Sequence, residues 1–213
     1  FGYECCQEFL AGCRDMDRHF LTAPLVENFP VLLGLIGIWN TQYLQYSSRA
    51  LAPYLQSLNQ FAAHIQQVDM ESNGKRVDRQ GNLLSHSAGP IDFGVPGTNA
   101  QHSFFQLFHQ GKVVPADFIG TILSQHNHPI VDNFTSHDEL MCNFFAQPDA
   151  LAYGTDSSVT NTHRIMPGNR PSNILLLKEL SFYSVGLLLS LYEHRTAVEG
   201  FIWDVNSFDQ YGV

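Results

Sequence analysis

The chain has 213 residues and a mass of 23.9 kDa, with 44% hydrophobic and only 15% charged residues, which excludes intrinsic disorder and allows a real core. Its net charge of −9, from 11 Lys and Arg against 20 Asp and Glu, argues against nucleic acid or an anionic membrane as the main partner. A single phosphate stays compatible with this charge, because backbone N–H groups and a few placed cations suffice to bind one.

The chain opens on Phe1 with no initiator Met or signal-peptide core and ends at Gly212-Val213, so both ends are expected to be truncations of a longer protein. Cys5, Cys6, Cys13 and Cys142 form no C-x-x-C pair, and reduced thiols in a cytoplasmic protein are expected. Phe9 to Phe20 carries apolar residues at helical spacing until Thr22-Ala23-Pro24 breaks it. Asn28-Phe29-Pro30 starts a second helix with Val31 to Trp39 as its buried body, far short of the roughly 20 residues a membrane helix needs. Ser48 to Pro53 predicts a strand. Tyr54 to Val68 predicts a helix with Leu55, Leu58, Phe61, Ala62 and Ile65 on one face, and Met70 is assigned to the core. Asn73 to Gly89 reads as a polar surface loop or hairpin.

Pro90 to Gly94 predicts a short buried strand, then a tight loop from Gly94 to Ala100 and a helix from about Gln101 to His109. Val113 to Ile122 is a second apolar strand, and Ser136-His137-Asp138-Glu139 caps a helix running through Phe145. His163 to Met166 and Asn173 to Leu177 are read as further strands, separated by the turn Pro167-Gly168-Asn169-Arg170-Pro171. Phe182 to Val198 is a last long helix, stopped by Gly200. Strands alternating with helices predict an α/β sandwich with a mainly parallel sheet, in one domain over residues 1–213.

Two segments hold candidate chemistry. In open α/β sheets, ligands sit where loops and helix starts converge beyond the strand ends, which fits Gly94 to His102. His102 is expected in the first helical turn, where the macrodipole keeps a neutral imidazole available; a capping loop with an incidental surface His is the alternative. His109, on the same face, reads as structural. In Asp69-Met70-Glu71-Ser72-Asn73-Gly74-Lys75, a carboxylate at a helix C-terminus is pushed toward general-base values, whereas a solvated cap is the bland alternative. Asp204, Asn206, Asp209 and Gln210 sit beside Phe201, Ile202, Trp203 and Phe208 and need partners. His126-Asn127-His128 lacks metal-ligand spacing, so no metal is expected. The Gly94 to Gly97 loop matches neither nucleotide-binding glycine pattern.

The runs Asp69 to Lys75, Gly97-Thr98-Asn99 with Gln101-His102, Gly168 to Pro171, Tyr192-Glu193-His194 and Asn206 to Val213 resemble the phosphoglucose isomerase (glucose-6-phosphate isomerase) family, in the right order over nearly the whole chain. The resemblance implies the second sugar-isomerase (SIS-type) domain, a three-layer α/β/α unit. It also implies reversible conversion of glucose 6-phosphate to fructose 6-phosphate in glycolysis and gluconeogenesis. That aldose–ketose isomerisation runs by ring opening and proton transfer through a cis-enediol. Carried over motif by motif, it makes Glu71 the enediol base and His102 the ring-opening residue, donated to the neighbouring subunit's site in a homodimer. Gln67 and Gln210 become substrate contacts, and no metal or organic cofactor is needed, since one base and one acid suffice.

The departures bear on the same site. A catalytic Lys would follow Val213, and a Gly-Gly-Arg motif and phosphate-holding loop would precede Phe1, so the chain by itself is expected to be inactive. Val95 replaces a usual Glu near His102, and Ala100 replaces a usual Gly and narrows the backbone angles allowed there. The stretch from Tyr153 to His163 is short for the family. A non-catalytic sugar-phosphate-binding or interaction module that kept the fold is the alternative reading.

Overall fold

A computed structural model describes residues 2–126, 128–155 and 158–210. In chain order the elements are α1 (Tyr3–Thr22), α2 (Phe29–Ile38), β1 (Ser48–Pro53), α3 (Phe61–Ile65), β2 (Ile91–Gly94), α4 (Gly97–Gln101), α5 (Phe105–Gln110), β3 (Ala116–Thr121), β4 (Pro129–Val131), β5 (Phe134–Thr135), α6 (Ser136–Tyr153), β6 (Ser172–Leu177) and α7 (Phe182–Trp203). Wide π turns follow α2 at Trp39–Tyr43 and α3 at Gln66–Glu71. Two compact units result, one from Phe1–Ser47, His64–Asp92 and Leu180–Val213, the other from Ser48–Ala63 and Phe93–Glu179. Phe1, Asn127, Asp156, Ser157 and the Tyr211-Gly212-Val213 end of the last family-like run lie outside the described residues.

The first unit is built on α7 with α1 and α2 against it. Glycines permit the close approach: a Cβ on Gly12 of α1 would collide with the Tyr183 carbonyl, and one on Gly186 of α7 with the Phe9 carbonyl. Around that seam, the Tyr183 hydroxyl donates to Asp15 Oδ2 at 2.8 Å, and His194 bonds Asp17 Oδ1 at 2.7 Å. Asn28 caps α2 as its sequence position predicts, accepting the Val31 N–H at 3.3 Å, with Pro30 in the first turn. The expectation of a buried α2 holds on one face only. Pro30, Gly34, Gly37 and Ile38 are buried, but Leu35 is 49% and Trp39 56% exposed, because the unit covers a single side of a helix that is apolar all round. Nor does α7 stop at Gly200. It runs to Trp203 and ends on Asp204 in the left-handed region (φ 55°), with Gly200 inside it.

In the second unit a four-stranded parallel sheet, ordered β2-β1-β3-β6, is flanked by helices, the α/β class expected. All six residues of β3 are buried, as a central parallel strand requires. As an edge strand, β2 buries only Asp92 and leaves Ile91 exposed, so the buried strand predicted there is half open. The core is aromatic: Tyr54, Phe105, Phe108, Phe118 and Phe144 pack with Ala50, Ala52 and Ala116 from the strands. The small strand residues leave room for the rings, several of which meet edge-on, Tyr54 against Phe144 at 5.4 Å among them. Burial pushes the Tyr54 hydroxyl well above its ordinary pKa.

Several predicted elements differ. In place of one helix from Tyr54 to Val68 there is a 3-10 turn at Gln56–Leu58, then α3, then the π turn. Of the five residues expected on the apolar face, Leu58, Phe61, Ala62 and Ile65 are buried and Leu55, ahead of the 3-10 turn, is half-buried. The predicted strand at His163 to Met166 is instead a 3-10 turn at Thr162–Arg164, because Asn161 accepts the His163 N–H at 3.0 Å and caps it. The short antiparallel β4–β5 hairpin is not among the elements expected from the sequence. Helix α6 extends to Tyr153, and its cap is Thr135 rather than Ser136.

Thr135 and Asp138 form a reciprocal capping box: the Asp138 N–H donates to Thr135 Oγ1 at 3.2 Å, and the Thr135 N–H donates to Asp138 Oδ2 at 2.9 Å. The Thr135 hydroxyl, then its N–H, hold the Asp138 carboxyl below the usual carboxylate range. A depressed folded-state pKa stabilises above the unfolded pKa, and that contribution is lost as pH falls through the folded value. Thr135→Ala is expected to cost about 1 kcal/mol at pH 7. The difference in urea midpoint between wild type and Asp138→Asn is expected to shrink from pH 7 to pH 3, and a constant difference would contradict the assignment.

Candidate functional site

Within the first unit, the segment after α3 must place Ile65 and Asp69 inward, since both are fully buried. Asp69 meets Arg195 of α7, with Nη2 3.2 Å from Oδ2, and neither side chain reaches water. The Arg195 guanidinium also stacks on the Tyr192 ring at 4.3 Å. With Asp69 turned inward, its neighbours turn out: Met70 is 38% exposed, not core as expected, and Glu71 faces solvent at the end of the π turn. Gln67, on the same turn, is exposed as well. Wide turns of this kind are frequent at functional sites. Gly74 closes the turn, its N–H donating to the Met70 carbonyl at 3.0 Å, where a Cβ would collide with that oxygen.

The polar cluster after α7 finds its partners here. The Gln210 side-chain amide donates to Glu71 Oε1, joining residues 139 positions apart. Lys75 Nζ donates to the Asp209 carbonyl at 2.7 Å and to Ser72 O at 2.8 Å, and lies 3.1 Å from Asp209 Oδ1. The Ser207 hydroxyl donates to Asn73 Oδ1 at 2.6 Å. Three ties therefore lay the segment 206–210 along 71–75.

Glu71 and Gln210 line a cleft of about 810 Å³ that also takes in Lys75, Arg76, Arg79 and Asp209. The hairpin 76–84 forms one wall, its tip ordered by Asp78, which accepts the Gln80 and Asn82 N–H groups at 2.9 and 2.8 Å. The Asn82 side-chain amide is the main reason the Asp78 carboxyl is held below its ordinary value. Lys75 is matched by Asp209, and Arg79 by Asp204 at 2.6 Å; Arg76 is exposed and has no ion pair among the described residues. Glu71, Gln67 and Gln210 are legible in the sequence through their motifs; Arg76 and Arg79 are not, their only signal being two cations close after Asn73-Gly74-Lys75.

His102 belongs to the second unit. The tight loop predicted from Gly94 to Ala100 is already helical from Gly97, so His102 is the C-terminal cap of α4 (φ −95°, ψ 8°) and is exposed. The macrodipole argument for a helix start therefore does not apply to it. Gly97 permits this geometry by lying flat on the Tyr54 ring, which a Cβ would strike. Ala100 is fully buried, helical and free of positive φ, and Val95 packs against the same aromatic core, so neither residue strains the backbone. His109 is buried and bonds Gln147 at 3.0 Å, the structural role expected. Among the described residues no group of three His, Cys, Asp or Glu could hold a metal ion, and no helix is long and apolar enough to cross a membrane.

The fold has solved counterparts. The crystal structure of a glucose-6-phosphate isomerase from Chlamydia trachomatis D/UW-3/Cx matches with a TM-score of 0.93 at 44% identity, over 99% of this chain and 41% of that one. The architecture is thus that of the sugar-isomerase α/β class. A family model described as phosphoglucose isomerase matches residues 1–213, and the chain belongs to that family. Over 223 residues it is 54% identical to the cytosolic glucose-6-phosphate isomerase of Spinacia oleracea and 53% identical to that of Arabidopsis thaliana. Both alignments take in all of this chain but only 39% and 40% of those proteins, so it spans about two fifths of their length.

The buried Asp69–Arg195 pair offers a direct stability test. Arg195→Met strands two buried carboxylates, Asp69 and Glu199, and is expected to cost roughly 3–5 kcal/mol in urea unfolding. Pairing it with Asp69→Asn is expected to recover part of that loss; a single-variant cost below about 1 kcal/mol would contradict the assignment.

Proposed function

We propose that this chain is part of an aldose–ketose isomerase that interconverts glucose 6-phosphate and fructose 6-phosphate. The observation that carries the reading is the meeting of Glu71 and Gln210, from two separate family-like motifs, at one cleft. In this reading Glu71 takes the proton from C2 of the open-chain aldose while the C1 carbonyl oxygen gains one, giving the cis-enediol. Return of that proton to C1, as the C2 hydroxyl gives up its own, then yields the ketose. Gln210 holds one carboxylate oxygen, leaving the other to move the proton. Gln67, on the same turn, and Gln210 contact the sugar. His102, given by one subunit to its neighbour's site in a homodimer, moves the proton that opens the ring. Arg76 adds a cation to a chain whose net charge otherwise opposes a phosphate. The whole of residues 1–213 serves as one sugar-isomerase domain of a cytoplasmic enzyme that needs no cofactor for this proton transfer.

The test is a coupled assay on the full-length protein. Glu71→Gln is expected to lower kcat by about 10²–10⁴-fold with little change in KM. His102→Gln is expected to slow turnover of the cyclic substrate more than that of the open-chain sugar. Unchanged activity in Glu71→Gln would remove Glu71 as the base. Retained hexose-phosphate binding without turnover in the wild type would favour a non-catalytic module. The 213-residue chain alone is expected to be inactive, and robust turnover by it would contradict that.

A further inference from the structure

Asn73 lies two residues past Glu71 and is fully buried. Both ends of its carboxamide are committed: Nδ2 donates to Asp69 Oδ1 at 3.2 Å and to the Thr196 carbonyl of α7 at 2.9 Å, while Oδ1 accepts the Ser207 hydroxyl at 2.6 Å. Only a side chain carrying two donors and an acceptor at this length satisfies that set. Asp would set a second carboxylate against Asp69, and Gln would overshoot by a methylene. The space above this bond is kept free by Gly200, where a Cβ would strike Ser207 Oγ and approach Asn73 Oδ1 to 2.8 Å. Ser207 in turn lies three residues before Gln210.

The Glu71–Gln210 contact joins two exposed side chains, so it competes with water and is weak by itself. Something buried has to hold its two ends in register. The Lys75–Asp209 tie joins the same two segments, but an ammonium is a point charge with three rotatable donors and fixes direction poorly. The Ser207–Asn73 bond is directional and anchored, through Asp69, on the buried Arg195.

We infer that Asn73 and Ser207 are positioning residues: their hydroxyl–carboxamide bond, seated over Gly200, sets the register in which the segment after α7 delivers Gln210 to the Glu71 carboxylate. The inference rests on the proposed role of Glu71. It is tested in the full-length protein with Ser207→Ala, Ser207→Thr, Gly200→Ala and Glu71→Gln, by kinetics and by crystal structures read for the Gln210 Nε2–Glu71 Oε1 contact. Ser207→Ala is expected to lose that contact and to lower kcat about tenfold, with KM changed less than twofold. Ser207→Thr, which keeps the hydroxyl, is expected to restore both. Gly200→Ala displaces the hydroxyl without removing it and is expected to behave as Ser207→Ala, so it decides the matter if that variant folds poorly. A contact that survives in Ser207→Ala or Gly200→Ala overturns the inference, whatever happens to kcat. So does an unchanged kcat in Ser207→Ala when Glu71→Gln is inactive. If Glu71→Gln is itself fully active, the catalytic reading of Glu71 fails, and the contact in the variant structures still decides the positioning claim.

Discussion

Arg195 sits in the middle of α7 with no route to water, and a guanidinium so placed must find a carboxylate or destabilise the unit. Asp69 answers it at 3.2 Å, and the equally buried Glu199 of α7 lies 4.0 Å from the same guanidinium, so Asp69 is held inward. With Asp69 inward on the π turn, Met70 and Glu71 face outward, and Asn73, two residues past Glu71, is buried again. Asn73 then reaches α7 through Thr196 and the segment beyond it through Ser207. An exposed carboxylate thus stands on a rigid support, which is the arrangement a proton-transferring group needs: free to meet a ligand, not free to wander.

The second unit solves a different problem, fitting five large rings around short strands. Alanines at 50, 52 and 116 and the bare Gly97 supply the room, and Tyr54 turns its ring into the space they leave. Val95 and Ala100 are packing residues of this core. Val95 adds apolar surface against the rings, and Ala100 fills a fully buried helical position where glycine's freedom is not used.

Charge is distributed with the same economy. An acidic chain concentrates three of its 11 cations in one cleft, then neutralises two of them with Asp209 and Asp204. Lys75 and Arg79 act as struts of that cleft, and of its three cations Arg76 has no ion pair among the described residues.

What the amino-acid sequence determined by itself is local. Asn28 before Phe29-Pro30 specifies a helix start, alternation of apolar runs specifies a parallel α/β sheet, and the apolar face of Leu58, Phe61, Ala62 and Ile65 is legible from spacing. The family-like motifs also single out Glu71, His102, Gln67 and Gln210. Tertiary structure decided where local preference is weak or is overruled by a distant partner. Gly200 reads as a helix stop, yet it lies inside α7 because Ser207 and Asn73 occupy the space beside it. Met70 reads as core, yet Arg195, 125 positions from it, takes Asp69 inward instead. His102 reads as a helix start, yet Gly97 can lie against Tyr54 and begin the helix one turn earlier. In each case the deciding contact joins residues far apart in the chain, and such contacts leave no periodicity to read. The meeting of Glu71 with Gln210 is of this kind: motifs name both residues, and only folding puts them in one cleft.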